Sequence, residues 1–500
     1  MFRKILIANR GEIAIRVARA CKELGISAVG VYSSVDKDSF HLRFMDQVLW
    51  IGDSPPQASY LNIANIIDAA KKAGAEAIHP GYGFLAENTK LAKACEESSI
   101  VFIGPNSKAL ALVGDKIASR NTVMTVGVPI IPGMQVADTD IEVFKELALK
   151  VGYPVIVKAS MGGGGKGMRI VRTEKDLETS VAAGQREAKS AFGDQTVYLE
   201  KYIERPRHIE FQVLRDHYNN VVHLFERECS IQRRHQKIIE ETPSVALDDA
   251  LRSRMGEAAK KVIEVAGYTN AGTVEFLLDE DRNFYFLEVN ARVQVEHPIT
   301  EMVTGVDLVR QQIIIADGQK LSISQREIKQ RGHAIEARIY AEDPENNFLP
   351  SPGKIMFLNE PAGPGIRIDS GIYQGWSVPP HYDPILSKMI VWSEDRRTAI
   401  RRMSNALKDY VILGIRTNLG FLKRIMDNDK FLSGKYHTHF IDENEDALRM
   451  SKKNVPKILT GVALVIANSE QYELGVAEVA RMEHTRTPWQ ELGDWEICRH

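Results

Sequence analysis

LEVNARVQVEHP, residues 287–298, sets polar residues at even positions (Glu288, Asn290, Arg292, Gln294, Glu296) and apolar ones at odd positions (Val289, Ala291, Val293, Val295). A period of two places alternate residues on opposite faces of an extended segment. This polar face lacks the Lys/Thr/Ser mixture of a solvated strand. It carries oxygen ligands at one end, and a guanidinium, an amide and a carboxylate at the other. That set can hold a cation and a small anion side by side.

Just upstream, GTVEFLLDE (272–280) and NFYFLEVN (283–290) flank Asp281-Arg282 and read as a β-hairpin. A register symmetric about that pair puts Glu275 opposite Glu288. Directly opposed side chains have Cβ atoms roughly 5 Å apart, and like charges there are destabilising, so a positive group is expected between them. Two carboxylates with Asn290 suit Mg²⁺ or Mn²⁺; a surface hairpin with two screened glutamates is the plainer alternative. Asp-Arg lacks the glycine that a tight primed turn prefers, and a one-residue bulge would separate the pair. Eight residues of strand would span roughly 26 Å from Glu288 to Glu296, too far to share one reaction centre. A turn is therefore expected after about Asn290.

The second landmark is Ser160-Met161-GGGGKGM, which contains GxGxxG at Gly162, Gly164 and Gly167. A dinucleotide fold would need a helix after the loop, whereas residues 168–172 continue as a strand. A Walker A loop would need Ser or Thr after Lys166, and Gly167 stands there. The expectation is a glycine flap between antiparallel strands whose backbone N–H groups approach phosphate oxygens; a plain long hairpin loop is the alternative. Lys158, ending an apolar strand before the loop, and Lys116 in GDK are its cationic candidates. Glu200-Lys201-Tyr202-Ile203 closes a strand and can present backbone groups to a base edge. His208, Gln232, His235 and Lys237 lie on HIEFQV and SIQRRHQK; the histidines alone are ambiguous.

Bulk properties bound the rest. Five hundred residues suggest about three domains. Lys plus Arg (64) nearly balance Asp plus Glu (66), so no general basic field points to nucleic acid or an anionic membrane. The four cysteines have no CxxC spacing, which indicates neither a zinc site nor a disulfide framework. Residues 1–12 reach a charged turn too early for a signal peptide, and the best apolar run (458–467) is too short to span a bilayer. A cytoplasmic location is expected.

Residues 1–110 alternate strand and helix signals: strands at 4–8, 28–32, 77–79 and 101–104, helices at 12–24 and 62–73. That pattern predicts a parallel sheet with ligand loops at strand ends. Strands at 154–159, 168–172 and 197–202 around a helix at 176–192 predict a small α+β lid. Residues 332–441 mix short strands with a long helix at 396–411. The fold class is α/β and α+β, multidomain.

Six further motifs narrow the reading: ANRGEIA (8–14), HPGYGFLAEN (79–88), IGPN (103–106), ERECSIQRRHQK (226–237), EVNARVQVEHPITE (288–301) and FLPSPGKI (348–355). With Lys116, Lys158, the flap and the Glu275/Glu288/Asn290 set, they closely resemble biotin carboxylase, within the ATP-grasp superfamily, from residue 1 to about 445. The resemblance implies an N-terminal α/β domain (1–112), an ATP-grasp domain (113–320, lid about 133–203), a C-terminal domain (332–445) and a tail (446–500) of unassigned role.

By position it implies ATP contacts for Lys116, Lys158, Gly164, Gly165, Glu200, Lys201, Ile203, His208, His235 and Leu277. Glu275, Glu288 and Asn290 would hold Mg²⁺ or Mn²⁺, two ions being expected. Lys237, Arg292, Gln294 and Val295 would bind bicarbonate, Glu296 would be the general base, and Arg338, in EARIYAED, would sit beside biotin. The implied reaction carboxylates the biotin of a biotin carrier protein through carboxyphosphate. Without an AMKM-like biotinylation site or length for a transferase, carrier and carboxyltransferase are expected on separate chains, and the resemblance implies a homodimer. Rival readings are another ATP-grasp carboxylate–amine ligase, a glycosidase-like carboxylate pair and a non-catalytic nucleotide sensor.

Overall fold

Buried apolar runs explain the centre of the N-terminal layer, with the Gln47–Trp50 strand at its half-exposed edge. Lys4–Ile7 (β1), Ser27–Tyr32 (β2), Gln47–Trp50 (β3), Ala77–His79 (β4) and Val101–Phe102 (β5) form a parallel sheet ordered β3-β2-β1-β4-β5. Parallel strands are covered on both faces, so they read as continuous hydrophobic runs. Strand order reverses between β1 and β4, and loops leaving strand ends at such a switch point make a crevice. Here the Asn9 side chain, after β1, donates to the carbonyls of Pro80 and Tyr82 after β4, at 2.7 Å each. The structure is a computed structural model that describes residues 1–449 apart from 135–137, 139 and 160–167. The glycine flap, with Gly164 and Gly165, and the tail from 450 lie outside the described residues.

The lid sheet comprises Val155–Ala159 (β6), Arg169–Val171 (β7) and Val197–Lys201 (β8), antiparallel in the order β7-β6-β8. The alternating Val155, Val157 and Ala159 face a small core with Phe144, Val181 and Leu199. Lys158, between them in phase, is turned to the opposite face.

The main sheet has eight strands, all antiparallel. Arg207–Arg215 (β9), Val221–Arg233 (β10), Gln236–Thr242 (β11), Asn270–Leu278 (β12), Phe284–Asn290 (β13) and His333–Tyr340 (β14) are joined by Ile385–Ser393 and Ile366–Ser370, in the order β13-β12-β9-β10-β11-β14 and then those two. The expected start of a separate domain near 332 thus falls inside one continuous sheet, because β14 pairs directly with β11.

Glu275 does pair with Glu288, by a route the symmetric hairpin did not anticipate. Near the turn the register centres on Asp281, pairing Phe276 with Phe286 and Leu278 with Phe284. Arg282 takes a left-handed conformation (φ 65°). A bulge then inserts one residue on β13 and restores the Glu275–Glu288 opposition. The expected turn is present: β13 ends at Asn290, and helix His297–Thr304 starts after Glu296.

Candidate active site

A cavity of about 970 Å³ opens between the N-terminal loops, the lid and the main sheet. Lys116, Lys158, Lys201, Ile203, His208, His235 and Leu277 line it, as do Lys237, Glu275, Glu288, Asn290, Arg292, Gln294, Val295 and Arg338. Two expected site residues, Glu200 and Glu296, lie beneath this lining, at 2% and 0% exposure.

Glu296 is held by the curl after β13. Its Oε1 lies 2.7 Å from Lys237 Nζ and its Oε2 2.9 Å from Arg338 Nη2. Burial would raise its pKa, but the charges of Lys237, Arg338 and Arg227 outweigh that and hold it well below the usual carboxylate range. Lys237 also contacts Glu275 Oε1 at 2.7 Å and makes a short contact with Glu210. Burial works against its charge, yet Glu210, Glu275 and Glu296 keep it firmly protonated. Two acidic groupings with metal-ligand spacing, His208/Glu210/Glu275 and Glu210/Cys229/Glu296, surround this ammonium. Lys237 touches acids of both, and so supplies their cation.

Glu275 receives a second partner on its other oxygen, His208 Nε2 at 2.9 Å. The amide of Gln232, which also donates to the Cys229 carbonyl, lies 2.9 Å from His208 Nδ1, whereas His208 Nε2 is near Glu275 without being aligned to donate to it. Glu288 has no hydrogen bond or ion pair among the described residues. Burial first, and Glu275 second, push its pKa up, with Lys116 opposing. An unpaired carboxylate facing a second one, with the Asn290 amide oxygen adjacent, fits a divalent cation. Asn290 Oδ1 accepts from Arg292 Nη2 at 3.0 Å and keeps a further lone pair.

Arg292 is fixed on three sides, by Asn290, by Gln294 Oε1 at 2.8 Å and by Glu87 Oε2 at 3.0 Å. Glu87 also accepts from the Ala291 N–H at 2.7 Å. Glu87 is not legible as a site residue in HPGYGFLAEN, because a lone glutamate before an Asn cap carries no local signal. Arg120 was likewise missed. It and Lys158 saturate Glu200, with Lys158 Nζ at 2.5 Å. Glu200 therefore orients Lys158 from behind and does not itself face the cavity. Lys201 donates to the carbonyls of Gly152 and Tyr153 at 2.9 Å each.

Arg338 lies on β14, its Nε 2.6 Å from Glu240 Oε1. The arrangement gathers lysine and arginine cations and an opposed carboxylate pair around one cavity, with the buried Glu296 beneath its lining.

Three family models match in series: "Biotin carboxylase, N-terminal domain" over residues 1–110, "Carbamoyl-phosphate synthase L chain, ATP binding domain" over 115–324, and "Biotin carboxylase C-terminal domain" over 336–443. A pyruvate carboxylase subunit of Methanothermobacter thermautotrophicus is 54% identical over 91% of this chain and 93% of its own. The biotin carboxylase of a Nostoc species is 53% identical over 88% and 99%. Among solved structures, the biotin carboxylase domain dimer of Hydrogenobacter thermophilus 2-oxoglutarate carboxylase, in complex with MgADP, ADP and bicarbonate, has a TM-score of 0.87. It is 47% identical and aligns over 90% of this chain and 100% of that one. Campylobacter jejuni biotin carboxylase, in a nucleotide complex, gives 0.86 at 48% identity over 89% and 99%. With the three domains matched in order and the cavity lying where they meet, the chain belongs to the biotin carboxylase family.

Proposed function

We infer that this chain uses ATP to activate bicarbonate and transfers the carboxyl group to the ureido nitrogen of biotin borne by a biotin carrier protein, the first half-reaction of a biotin-dependent carboxylase. The observation that carries this reading is that Arg292, Gln294 and Lys237 line the same cavity as Lys116 and Lys158, with Glu296 ion-paired directly beneath. A carboxylate–amine ligase accounts for the nucleotide features but not for Arg292, Gln294 and Glu296 together.

In this reading Lys116, Lys158, Lys201, Ile203, His208, His235 and Leu277 hold ATP, with Glu200 bracing Lys158; Gly164 and Gly165, outside the described residues, are ATP contacts by the family resemblance. Glu275, Glu288 and Asn290 would hold divalent ions, which would supply positive charge against the transferred phosphoryl group. Bicarbonate, held by Lys237, Arg292, Gln294 and Val295, attacks the γ-phosphorus; the bond to ADP breaks and carboxyphosphate forms. Glu296 takes the bicarbonate proton. With both ion pairs intact Glu296 is a weak base, so bicarbonate must draw Lys237 and Arg338 partly away before the proton moves. Carboxyphosphate then gives CO2 and phosphate, the phosphate removes the ureido N–H proton, Arg338 stabilises the oxyanion left on biotin, and the ureido nitrogen attacks CO2 to form the carboxyl–nitrogen bond.

The name of the M. thermautotrophicus relative, which marks it as one subunit of a larger enzyme, and the dimeric H. thermophilus neighbour support a carrier and a transferase on other chains and a homodimer. No helix of the described residues is long and apolar enough to cross a membrane; the cytoplasm is the location this reading proposes. The final acceptor belongs to the transferase.

ADP release from Mg-ATP with biotin is expected to require bicarbonate, and label from bicarbonate should appear on biotin. Glu296→Gln should lower biotin-dependent release by about 10²–10⁴-fold. Release that is independent of bicarbonate but requires an amine would establish the ligase reading instead.

A further inference from the structure

The register of β11 and β14 sets Glu240 opposite Glu336, and both side chains are wholly buried. Opposed side chains on an antiparallel pair stand roughly 5 Å apart at Cβ. Neither oxygen of Glu336 has a hydrogen-bond partner. The ion-pair partner of Glu240 is Arg338, with Nε 2.6 Å from Oε1, close enough for an ion pair though not aligned as a hydrogen bond. On the next strand Lys388 is paired with Arg338 in register, but its ammonium turns to the Val295 carbonyl at 2.9 Å and Glu12 at 3.1 Å.

Two dry carboxyl groups side by side cannot both carry charge, and such a pair shares one proton. Burial raises both, in Glu240 with Arg338 opposing and in Glu336 with Lys388 opposing. The single negative charge belongs on the member touching a cation.

We propose that Glu240 and Glu336 are positioning residues for Arg338: Glu240 holds the Nε edge of the guanidinium, and Glu336 stays a neutral acid that leaves Glu240 the one charge. Arg338 bridges Glu296 and Glu240. When bicarbonate loosens the Glu296 contact, the Glu240 contact is what keeps the guanidinium in place for the biotin oxyanion. The inference rests on the function proposed above.

The test compares Glu240→Gln and Glu336→Gln with the unaltered full-length chain. Two rates are read, bicarbonate-dependent ADP release without biotin and the biotin-dependent rate, together with KM for biotin and the thermal midpoint. Glu240→Gln should raise KM for biotin, or lower the biotin-dependent kcat, at least tenfold, while the biotin-free rate changes less than threefold. Glu240→Asp should recover part of the loss. Glu336→Gln, isosteric with the protonated acid, should stay within threefold in both assays. Equal loss of both rates in Glu240→Gln, no loss at all, or a Glu336→Gln variant that matches it would each overturn the proposal. Absence of bicarbonate-dependent release in the unaltered chain would instead remove the function reading.

Discussion

Three buried carboxylates converge on one ammonium at Lys237, and that residue bears the greatest electrostatic stake in the site. Breaking a buried ion pair leaves uncompensated charge, which typically costs about 3–5 kcal/mol. Lys237→Met should therefore lower the urea unfolding free energy by about that amount at pH 7, besides removing carboxylation. A variant of undiminished stability would mean that Glu210, Glu275 or Glu296 is protonated in the resting protein. Glu275 argues against that for its own carboxyl: burial raises it, but Lys237 and His208 pull it well below the usual range. The same low value makes it unfit as the acid of a glycosidase-like pair.

At the scale of elements, the lid is tied to the site through backbone contacts. Gly133 bridges to Glu200, and a Cβ at that position would lie 2.5 Å from the Leu199 carbonyl and 2.9 Å from the Glu200 Cα. Backbone cannot yield as a flexible side chain does, and such overpacking costs about 1–3 kcal/mol. Gly133→Ala should push β8 outward, displace Glu200 from Lys158, and weaken ADP binding roughly tenfold, about 1.4 kcal/mol, by titration calorimetry. Unchanged ADP affinity would show that Glu200 does not set the position of Lys158. The β12/β13 hairpin gives the complementary case. Its asymmetric turn and its bulge shift the register in opposite senses, so only together do they set the two glutamates opposite each other.

Across the whole molecule, the main sheet welds the ATP-binding half to the C-terminal half. Glu241 on β11 accepts from Arg396 at 2.7 and 3.0 Å and meets His333 on β14 at 2.6 Å. Acid should dissolve this unity. Burial lowers His41 and His223 to about 4 and His79 to about 3, from an unfolded value near 6.5. The unfolded chain binds those protons first, so stability is full above pH ~6.5 and falls as pH drops towards 4. Depressed carboxylates (Glu296, Glu275, Glu241, Asp369) add a further loss below pH ~4.5. Carboxyls raised by burial, Glu240 and Glu336 among them, take up protons in the native state over the same range and oppose this loss, so the check is differential: the fall in urea midpoint from pH 8 to pH 4.5 should shrink in His79→Gln, and an unchanged profile would mean that His79 is already charged in the native state.

Local periodicity and specific motifs determined much of this protein from its sequence alone. The parallel N-terminal layer, the lid strands, the Glu275–Glu288 opposition, the turn after Asn290 and part of the cavity lining were legible, since each depends on neighbours a few residues apart or on a dense motif. Tertiary structure alone decided the rest. The Arg292–Glu87 and Glu200–Arg120 pairs, the placing of Glu200 and Glu296 beneath the cavity, and the pairing of β14 with β11 all join residues remote in sequence. A buried charge is stable only beside its partner, and no local pattern names a partner that the fold delivers from another strand.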